Sequence, residues 1–224
     1  MSIEDDTQTI DAERYKKIWA ELQSIMDHLS AQMPPEAGVS MKEVIAFRAS
    51  ITKETDRGAV LMSAAFLDDK LKELIEKRLV LDKKISRRAF DFNGALGTFS
   101  SRIDFAYLIG VLPKNAQRDL HLIRAVRNQF AHHAAPLSYD EEKVKALCDR
   151  LVFHGVRNSS SGGSKFRRSV MGLLTYITLA FEKAEHIEAA SDYVIPDRTE
   201  AYKLVSSIFT GITGVEYPLK HEHE

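Results

Sequence analysis

Several residue types are scarce in this sequence, and each shortage excludes a class of protein. Cysteine occurs once in 224 residues, at Cys148, so neither an internal disulfide framework nor a cysteine-based zinc site can form. Only 11 glycines and 6 prolines interrupt the chain, which leaves long stretches for uninterrupted helices. A single cysteine also fits a reducing compartment, so we expect a cytoplasmic protein.

The sequence also lacks an excess of charge of either sign and any long apolar run. The 31 basic and 32 acidic residues give a net charge of −1 and a pI near 6.7, which argues against a strongly basic DNA-binding face. The longest apolar candidate, residues 170–181, is shorter than the roughly 20 residues of a membrane span. Residues 1–9 are acidic and polar, unlike a signal peptide. No association with a membrane is expected.

Helix-forming residues at helical spacing fill most of the chain. Hydrophobic residues make up 44% of the sequence, enough for a sizeable core, and no stretch alternates convincingly with the period of a strand. We therefore predict an all-α protein, a single bundle of about six to eight helices. The predicted helices cover about 11–32, 41–52, 56–79, 100–112, 116–133, 140–152, 166–189 and 199–209, with Asp11 and Asp56 as caps of the first and third. The apolar stripe predicted for the third helix consists of Val60, Ala64, Leu67, Leu71, Leu74 and Leu79, and the core side predicted for the helix at 116–133 consists of Leu122, Ile123, Val126 and Phe130.

Composition shifts divide the chain into three parts. Residues 1–40 are expected to form an N-terminal helical arm, residues 41–215 the bundle, and residues 216–224, with their His-Glu repeat, a disordered tail. The Ser/Gly-rich stretch 158–164 is predicted to be a mobile loop, and residues 83–88 a basic, polar connection. Residues 91–99 carry the glycines of a tight turn.

The most informative stretch is the end of the helix predicted at 116–133. Helical geometry stacks Asn128 on His132 and places Arg127 at the edge of the same patch, with Arg124 one turn earlier. A guanidinium suits a phosphate, and an imidazole can move a proton near neutral pH. Together they would suit metal-free cleavage of a phosphodiester. The same residues near a helix C-terminus equally satisfy its last carbonyls, and both explanations stay open.

A second group of cations flanks the predicted loop. Arg157, Lys165, Arg167 and Arg168 are candidates for binding a phosphate or an RNA backbone, since a flexible cationic loop neutralises phosphates without reading sequence. Basic residues in the first turn of a helix oppose its dipole, which hints at a visiting anion or acidic partner.

No metal or cofactor is expected. The acidic residues Asp68, Asp69 and Glu73 share one predicted helix and are expected to compensate the charge of Arg127 or Arg124. As a metal site they lack partners. The sequence contains no Gly-rich phosphate-binding motif.

Two resemblances follow from these residues. The run from Arg127 to His132 resembles the Arg-polar-x-x-x-His signature of the HEPN superfamily of all-α domains. Many catalytic members are metal-independent endoribonucleases whose active site forms at a dimer interface, and other members only bind partners. A wider stretch resembles the bacterial mannitol operon repressor (MtlR-like) family, which is all-α. The residues that carry this second resemblance lie at 57–60, 67–71, 94–112 and 123–132.

The resemblances imply two functions. Members of the MtlR-like family are described as transcription regulators without a recognisable DNA-reading element, which implies regulation through protein partners. The first hypothesis is therefore a non-enzymatic transcription regulator that binds a transcription factor or a sugar-transport component. The alternative is a HEPN-type endoribonuclease that uses Arg127, Asn128 and His132 at a dimer interface, with RNA as its partner. Whether the protein is an enzyme stays open, and a homodimer is expected in either case.

Overall fold

All the regular elements in the described part of the chain are α-helices. The computed structural model describes residues 12–31, 35–133, 135–156 and 161–217. It confirms the all-α class within these ranges, with somewhat more helices than the expected six to eight. The helices are α1 (Ala12–Ala31), α2 (Pro35–Thr52), α3 (Asp56–Arg78), α4 (Lys83–Phe90), α5 (Phe99–Leu108), α6 (Lys114–His132), α7 (Glu142–Cys148), α8 (Gly162–Lys183) and α9 (Thr199–Thr213).

Helix α3 is the centre of the first compact unit, which extends to Glu188. It packs against α2, α5, α6 and α8. Of the six residues predicted as its apolar stripe, Leu79 is the C-cap and only partly buried. The other five are buried in the core: Val60, Ala64, Leu67, Leu71 and Leu74. Thr55, one residue before the predicted cap Asp56, is the N-cap, and its hydroxyl accepts a hydrogen bond from the amide of Gly58 at 3.1 Å.

Ion pairs and ring contacts give the directions of the helices around α3. Arg167 pairs with Asp56 near the starts of α8 and α3, and Lys77 lies over the ring of Phe181 near their ends. These two helices therefore run parallel. Arg57, at the start of α3, contacts the backbone that follows α6, so α6 runs antiparallel to α3. The starts of α3 and α8 and the end of α6 thus lie at the same end of the bundle.

The segment predicted as a polar connection at 83–88 is a helix, α4. The carboxylate of Asp82 caps it by accepting two backbone N–H bonds of the first turn at 2.9 Å each. The hydroxyl of Ser86 donates to the carboxylate of Glu76 at 2.8 Å, and the buried ring of Phe90 holds the last turn. The prediction was wrong because half of the side chains of this helix are basic and face solvent, so no apolar stripe marks it.

A tight turn follows α4, as the glycines predicted. A Cβ at Gly94 would overlap the carbonyl oxygen of Ala89, and one at Gly97 would overlap that of Asp91, so only glycine fits both positions. Arg102 of α5 closes the turn from the other side. Its Nε donates to the carbonyl of Leu96 at 2.8 Å.

The end of α5 and the start of α8 differ from the prediction. Helix α5 ends at Leu108 rather than near residue 112, because Gly110 adopts a positive φ of 76°. Helix α8 begins at Gly162 rather than near residue 166. Ser161 caps it through the amide of Ser164 at 3.2 Å, and Gly163 lets the ring of Tyr139 pack against its first turn.

The remaining described residues form a second compact unit, from Ala189 onward. It contains α9, which ends at Gly214 with a positive φ of 69°. The boundary between Glu188 and Ala189 was not predicted, since α8 was expected to reach residue 189. The predicted divisions after residues 40 and 215 stay predictions. The N-terminal cap expected at Asp11 and most of the predicted tail lie outside the described residues.

The one cysteine of the chain lies inside the first unit. Cys148, at the end of α7, is buried, and this burial raises the pKa of its thiol to about 12. None of the described helices has both the length and the apolar content that crossing a bilayer requires.

Candidate functional site

The predicted motif lies on a regular helix with one clearly apolar face. The core side of α6 is buried as expected and includes Leu122, Ile123, Val126 and Phe130. On the other side, Arg124, Asn128 and His132 follow at intervals of four residues. Arg124, Arg127 and Asn128 are half-buried, and His132 is exposed.

The end of α6 is satisfied by an arginine of another helix. Nη2 of Arg57 donates to the carbonyl of His133 at 2.6 Å and to that of Ala135 at 2.8 Å. Sequence reasoning had offered the motif residues themselves as partners of the last carbonyls. Among the described residues, the side chains of Asn128 and His132 make no hydrogen bond or ion pair. Capping of α6 therefore does not account for these two residues.

Arg127 interacts through space with one carboxylate of α3. Burial raises the pKa of Asp68, whereas the hydrogen bond from Arg102 and the charges of Arg102 and Arg127 act to lower it. The direct partner of Asp68 is Arg102, whose Nη1 lies 2.8 Å from Oδ1. The other acidic candidates lie elsewhere, since Asp69 is exposed and Glu73 pairs with Lys70 at 2.9 Å.

A histidine missed by sequence reasoning lies two turns before the motif on the same side of α6. Nε2 of His121 and Oδ1 of Asp104, on α5, are 2.8 Å apart, and Gln117 donates to the same oxygen at 2.7 Å. The hydrogen bond from His121 is the main reason why the pKa of Asp104 lies below its usual value. The sequence could have revealed this histidine, because the i, i+7 spacing of His121 and Asn128 places both on one side of a helix. Only the fold brings Asp104 to His121 and Gln117.

The predicted cations near the start of α8 are mostly neutralised by carboxylates of the same unit. Lys165 pairs with Asp149 at 2.6 Å, and Arg167 pairs with Asp56 at 3.0 Å. Nε of Arg168 donates to the hydroxyl of Ser164 at 3.3 Å, and the side chain is exposed. Arg157, the fourth predicted cation, lies outside the described residues.

These cations and the motif face different directions. Arg167 lies over the ring of Tyr139 at 5.4 Å, and that ring packs against Phe130 with centroids 5.6 Å apart. Asn128 and His132 each project about 160° from Phe130 around the axis of α6. The structure therefore does not bring the cations of α8 onto the open face that carries Asn128 and His132.

The open face of α6 can offer donors to an anion. His121 has a fixed orientation because it bonds to Asp104, whereas nothing in the described structure orients His132. Nε of Arg124 is buried without a hydrogen-bond partner among the described residues, so it is not one of the donors that this face offers. Within the same ranges, no group of three His, Cys, Asp or Glu side chains is placed to hold a metal ion.

Comparison with known proteins adds one likeness of fold. No protein-family model matches the chain, and no curated protein matches it. The fold resembles that of a chain in the X-ray structure of the MtlR-HPr complex from Escherichia coli. The two chains share 17% sequence identity with a TM-score of 0.50, over 59% of this chain and 99% of the other. At this identity the likeness concerns the fold alone.

Proposed function

We propose that this protein is a non-enzymatic regulator of the mannitol-repressor-like type, and that it acts by binding another protein. The observation that carries the proposal is the likeness in fold, which spans 99% of a chain crystallised in the MtlR-HPr complex. The residues that resemble the MtlR-like family also have structural roles in this fold. Gly94 and Gly97 form the turn before α5, Arg102 closes that turn, and Arg57 caps α6.

The surroundings of the motif favour binding over catalysis. A general acid or base acts best when a neighbouring group fixes its orientation and tautomer. His132 has no such neighbour in the described part of the chain.

A HEPN-type endoribonuclease is the second candidate, and one observation favours it. Arg127, Asn128 and His132 lie near the end of α6, where His132 is exposed and neither Asn128 nor His132 has a polar partner among the described residues. A second subunit on this side would supply the groups that orient His132 in an active enzyme. A homodimer is part of both proposals.

Two measurements test the choice between them. Purified protein is incubated with single-stranded RNA in the presence of a metal chelator, alongside His132→Ala and the control His154→Ala. We expect no cleavage by any of the three. Cleavage by the wild type and by His154→Ala, but not by His132→Ala, would establish the nuclease and refute the non-enzymatic proposal.

Partner binding is tested separately by chemical cross-linking and affinity capture in extracts of the native host. We expect a defined protein partner in stoichiometric amount, and weak binding of the purified protein to DNA. Tight binding to operator DNA without any partner would contradict the proposal. Light scattering on the same preparation reports whether the protein is a dimer.

A further inference from the structure

One exposed surface has no role in the site described above. It lies on α4 and its flanks, and we refer to it as the α4 surface. Its basic members are Lys83, Lys84, Arg87 and Arg88, and its apolar members are Leu81, Ile85 and Phe92. The apolar side chains are unusually open to solvent, with exposed fractions of 75% for Leu81, 54% for Ile85 and 88% for Phe92. Exposed apolar groups beside uncompensated charge are typical of an interaction surface.

The four cations are not used within the described structure. All four are exposed, and none makes a hydrogen bond or an ion pair there through its side chain. The carboxylate of Asp82 is occupied by the backbone amides at the start of α4. The carboxylate of Glu76 accepts from Ser86 instead of pairing with a cation. This arrangement differs from the start of α8, where both Lys165 and Arg167 have carboxylate partners.

Like charges that lie close together destabilise helix α4. Lys83 and Arg87, and likewise Lys84 and Arg88, are like charges separated by four residues on one helix, which destabilises it. Lys83 and Lys84 lie in the first turn, where positive charge opposes the helix dipole, whereas Arg87 and Arg88 lie in the last turn, where positive charge is favourable. An anionic partner would relieve both effects.

The α4 surface is also preorganised. The ring of Phe90 is buried, and the guanidinium of Arg102 lies 5.6 Å from its centroid. Arg102 also donates to the carbonyls of Phe90 and Leu96, at 3.4 Å and 2.8 Å. Because these contacts anchor the end of α4 and the following turn to α5 and α3, a partner meets a surface that is already ordered.

We propose that the α4 surface docks an acidic segment of a partner protein that also presents apolar side chains. This inference rests on the proposed function, because it names the surface through which a protein partner is bound. The cations would pair with carboxylates of the segment, and Leu81, Ile85 and Phe92 would bury its apolar side chains. Aromatic and basic residues together are typical of the central contacts in protein interfaces.

Two other classes of partner fit the surface less well. An RNA backbone is a continuous track of phosphates, whereas carboxylates bound this patch at both ends, at Asp82 and Asp91. Burial of Leu81 and Ile85 would contribute little to contacts with phosphates. A membrane surface suits longer amphipathic helices than the 8 residues of α4.

The test uses the full-length protein and a synthetic 18-residue amphipathic helix of Glu and Leu, labelled for fluorescence anisotropy. We compare it with a peptide in which every Glu is replaced by Gln. We expect the acidic peptide to bind at low salt, more weakly as salt increases, and about tenfold more tightly than the neutral one. The same assay is run with a 20-residue uridine oligonucleotide and with phosphatidylserine vesicles.

Two variants separate the contributions of charge and apolar contact. One carries Lys83→Gln, Lys84→Gln, Arg87→Gln and Arg88→Gln, and the other carries Leu81→Ser and Phe92→Ser. Each is expected to weaken peptide binding about tenfold. The control replaces four exposed lysines elsewhere by Gln, which changes net charge equally and should leave binding intact. Its positions are Lys16, Lys17, Lys143 and Lys145.

Several results would overturn the inference. These are no binding of the acidic peptide, equal binding by the control and the two variants, or tighter binding of RNA or vesicles through the same cations. The proposed function is judged by a different result. If the host partner is captured equally by the wild type and by the four-Gln variant, regulation by a protein partner stands and the α4 surface is excluded. If the wild type captures no partner, the proposed function fails, whatever the peptide shows.

Discussion

At the scale of single residues, Arg102 joins three parts of the bundle. Its planar guanidinium reaches the carboxylate of Asp68 and the carbonyls of Leu96 and Phe90 at once. A lysine offers one point charge and cannot replace this fork. We expect Arg102→Lys to lower the free energy of unfolding by about 1–3 kcal/mol, measured by urea denaturation.

The matched control is Arg88→Lys, at an exposed position where the side chain has no polar partner in the described structure. It should change stability by less than about 0.5 kcal/mol. Equal effects of the two substitutions would show that the contacts of Arg102 contribute nothing to stability.

Asp104 should make stability depend on pH in the acid range. Its pKa in the folded protein is lowered from 3.8, first by the hydrogen bond from His121 and then by that from Gln117. A carboxyl of this kind stabilises the fold above its unfolded pKa, and the contribution is lost as pH falls through the folded pKa. Asp104→Asn is therefore expected to be less stable than the wild type at neutral pH, by less than about 1 kcal/mol because the pair is exposed.

The difference between Asp104→Asn and the wild type should close as pH falls below 3.8. NMR titration gives a direct check. His121→Ala should move the pKa of Asp104 back towards its usual value, whereas His154→Ala should leave it in place. If the difference in stability between the wild type and Asp104→Asn grew as pH fell, the direction assigned to the pKa shift of Asp104 would be wrong.

At the scale of elements, the turn after α4 depends on glycine for close approach and not for unusual dihedral angles. A methyl group at Gly94 would overlap the backbone of α4 at Arg88 and Ala89. We expect Gly94→Ala to lower the free energy of unfolding by about 1–3 kcal/mol, as overpacking does elsewhere. Gly211→Ala is the control in α9, where the added methyl meets open space, and it should leave stability unchanged or raise it.

The cap on α6 gives a second prediction at this scale. Arg57→Ala removes both hydrogen bonds to the carbonyls of His133 and Ala135. The last turn of α6 should then fray, which hydrogen exchange would detect as faster exchange of amides between residues 128 and 132. Arg150→Ala, at an exposed position after α7 where the side chain has no polar partner in the described structure, serves as the comparison. Unchanged exchange in Arg57→Ala would show that α6 ends stably without this cap.

Most helices could be predicted because the side of a helix that faces the core appears in the sequence as apolar residues at helical spacing. The stripe of α3 is such a case, since its predicted members from Val60 to Leu74 are buried, whereas Leu79 lies at the C-cap and is only partly buried. Helix α4 has no such stripe, since its formation depends on the Asp82 cap and on Phe90, and neither forms a period. The start of α8 was misplaced because glycines suggest a loop, whereas here they make room for Tyr139.

The candidate site was predictable only within one helix. Periodicity alone places Asn128 and His132 on one side of α6 and Phe130 on the other. It carries no information on contacts between helices, so it could not reveal that Asp104 bonds to His121 or that Asp68 bonds to Arg102. The chemical role predicted for Arg127, Asn128 and His132 stays a prediction.

At the scale of the whole molecule, the boundary after Glu188 suggests that the first unit folds without the second. Contacts within the first unit hold its last residues, since Arg78 donates to the carbonyl of Glu185 at 2.9 Å and accepts from the amide of Ile187 at 3.0 Å. A chain that ends at Glu188 is expected to unfold cooperatively. Its Tm should lie within about 4 °C of the full-length value, which corresponds to about 1 kcal/mol at this size.

Circular dichroism and calorimetry would measure this. A broad, non-cooperative transition in the shortened chain would show that residues after Glu188 are needed for the core of the first unit.

The enclosed thiol of Cys148 has a practical consequence. A sulfur that is both shielded and held in its protonated form cannot react with an alkylating reagent until the surrounding structure opens. Since the chain has no other cysteine, every alkylation event records one opening around α7. The protein therefore contains a natural single-site probe, with which the opening rate can be followed by mass spectrometry on the unaltered sequence.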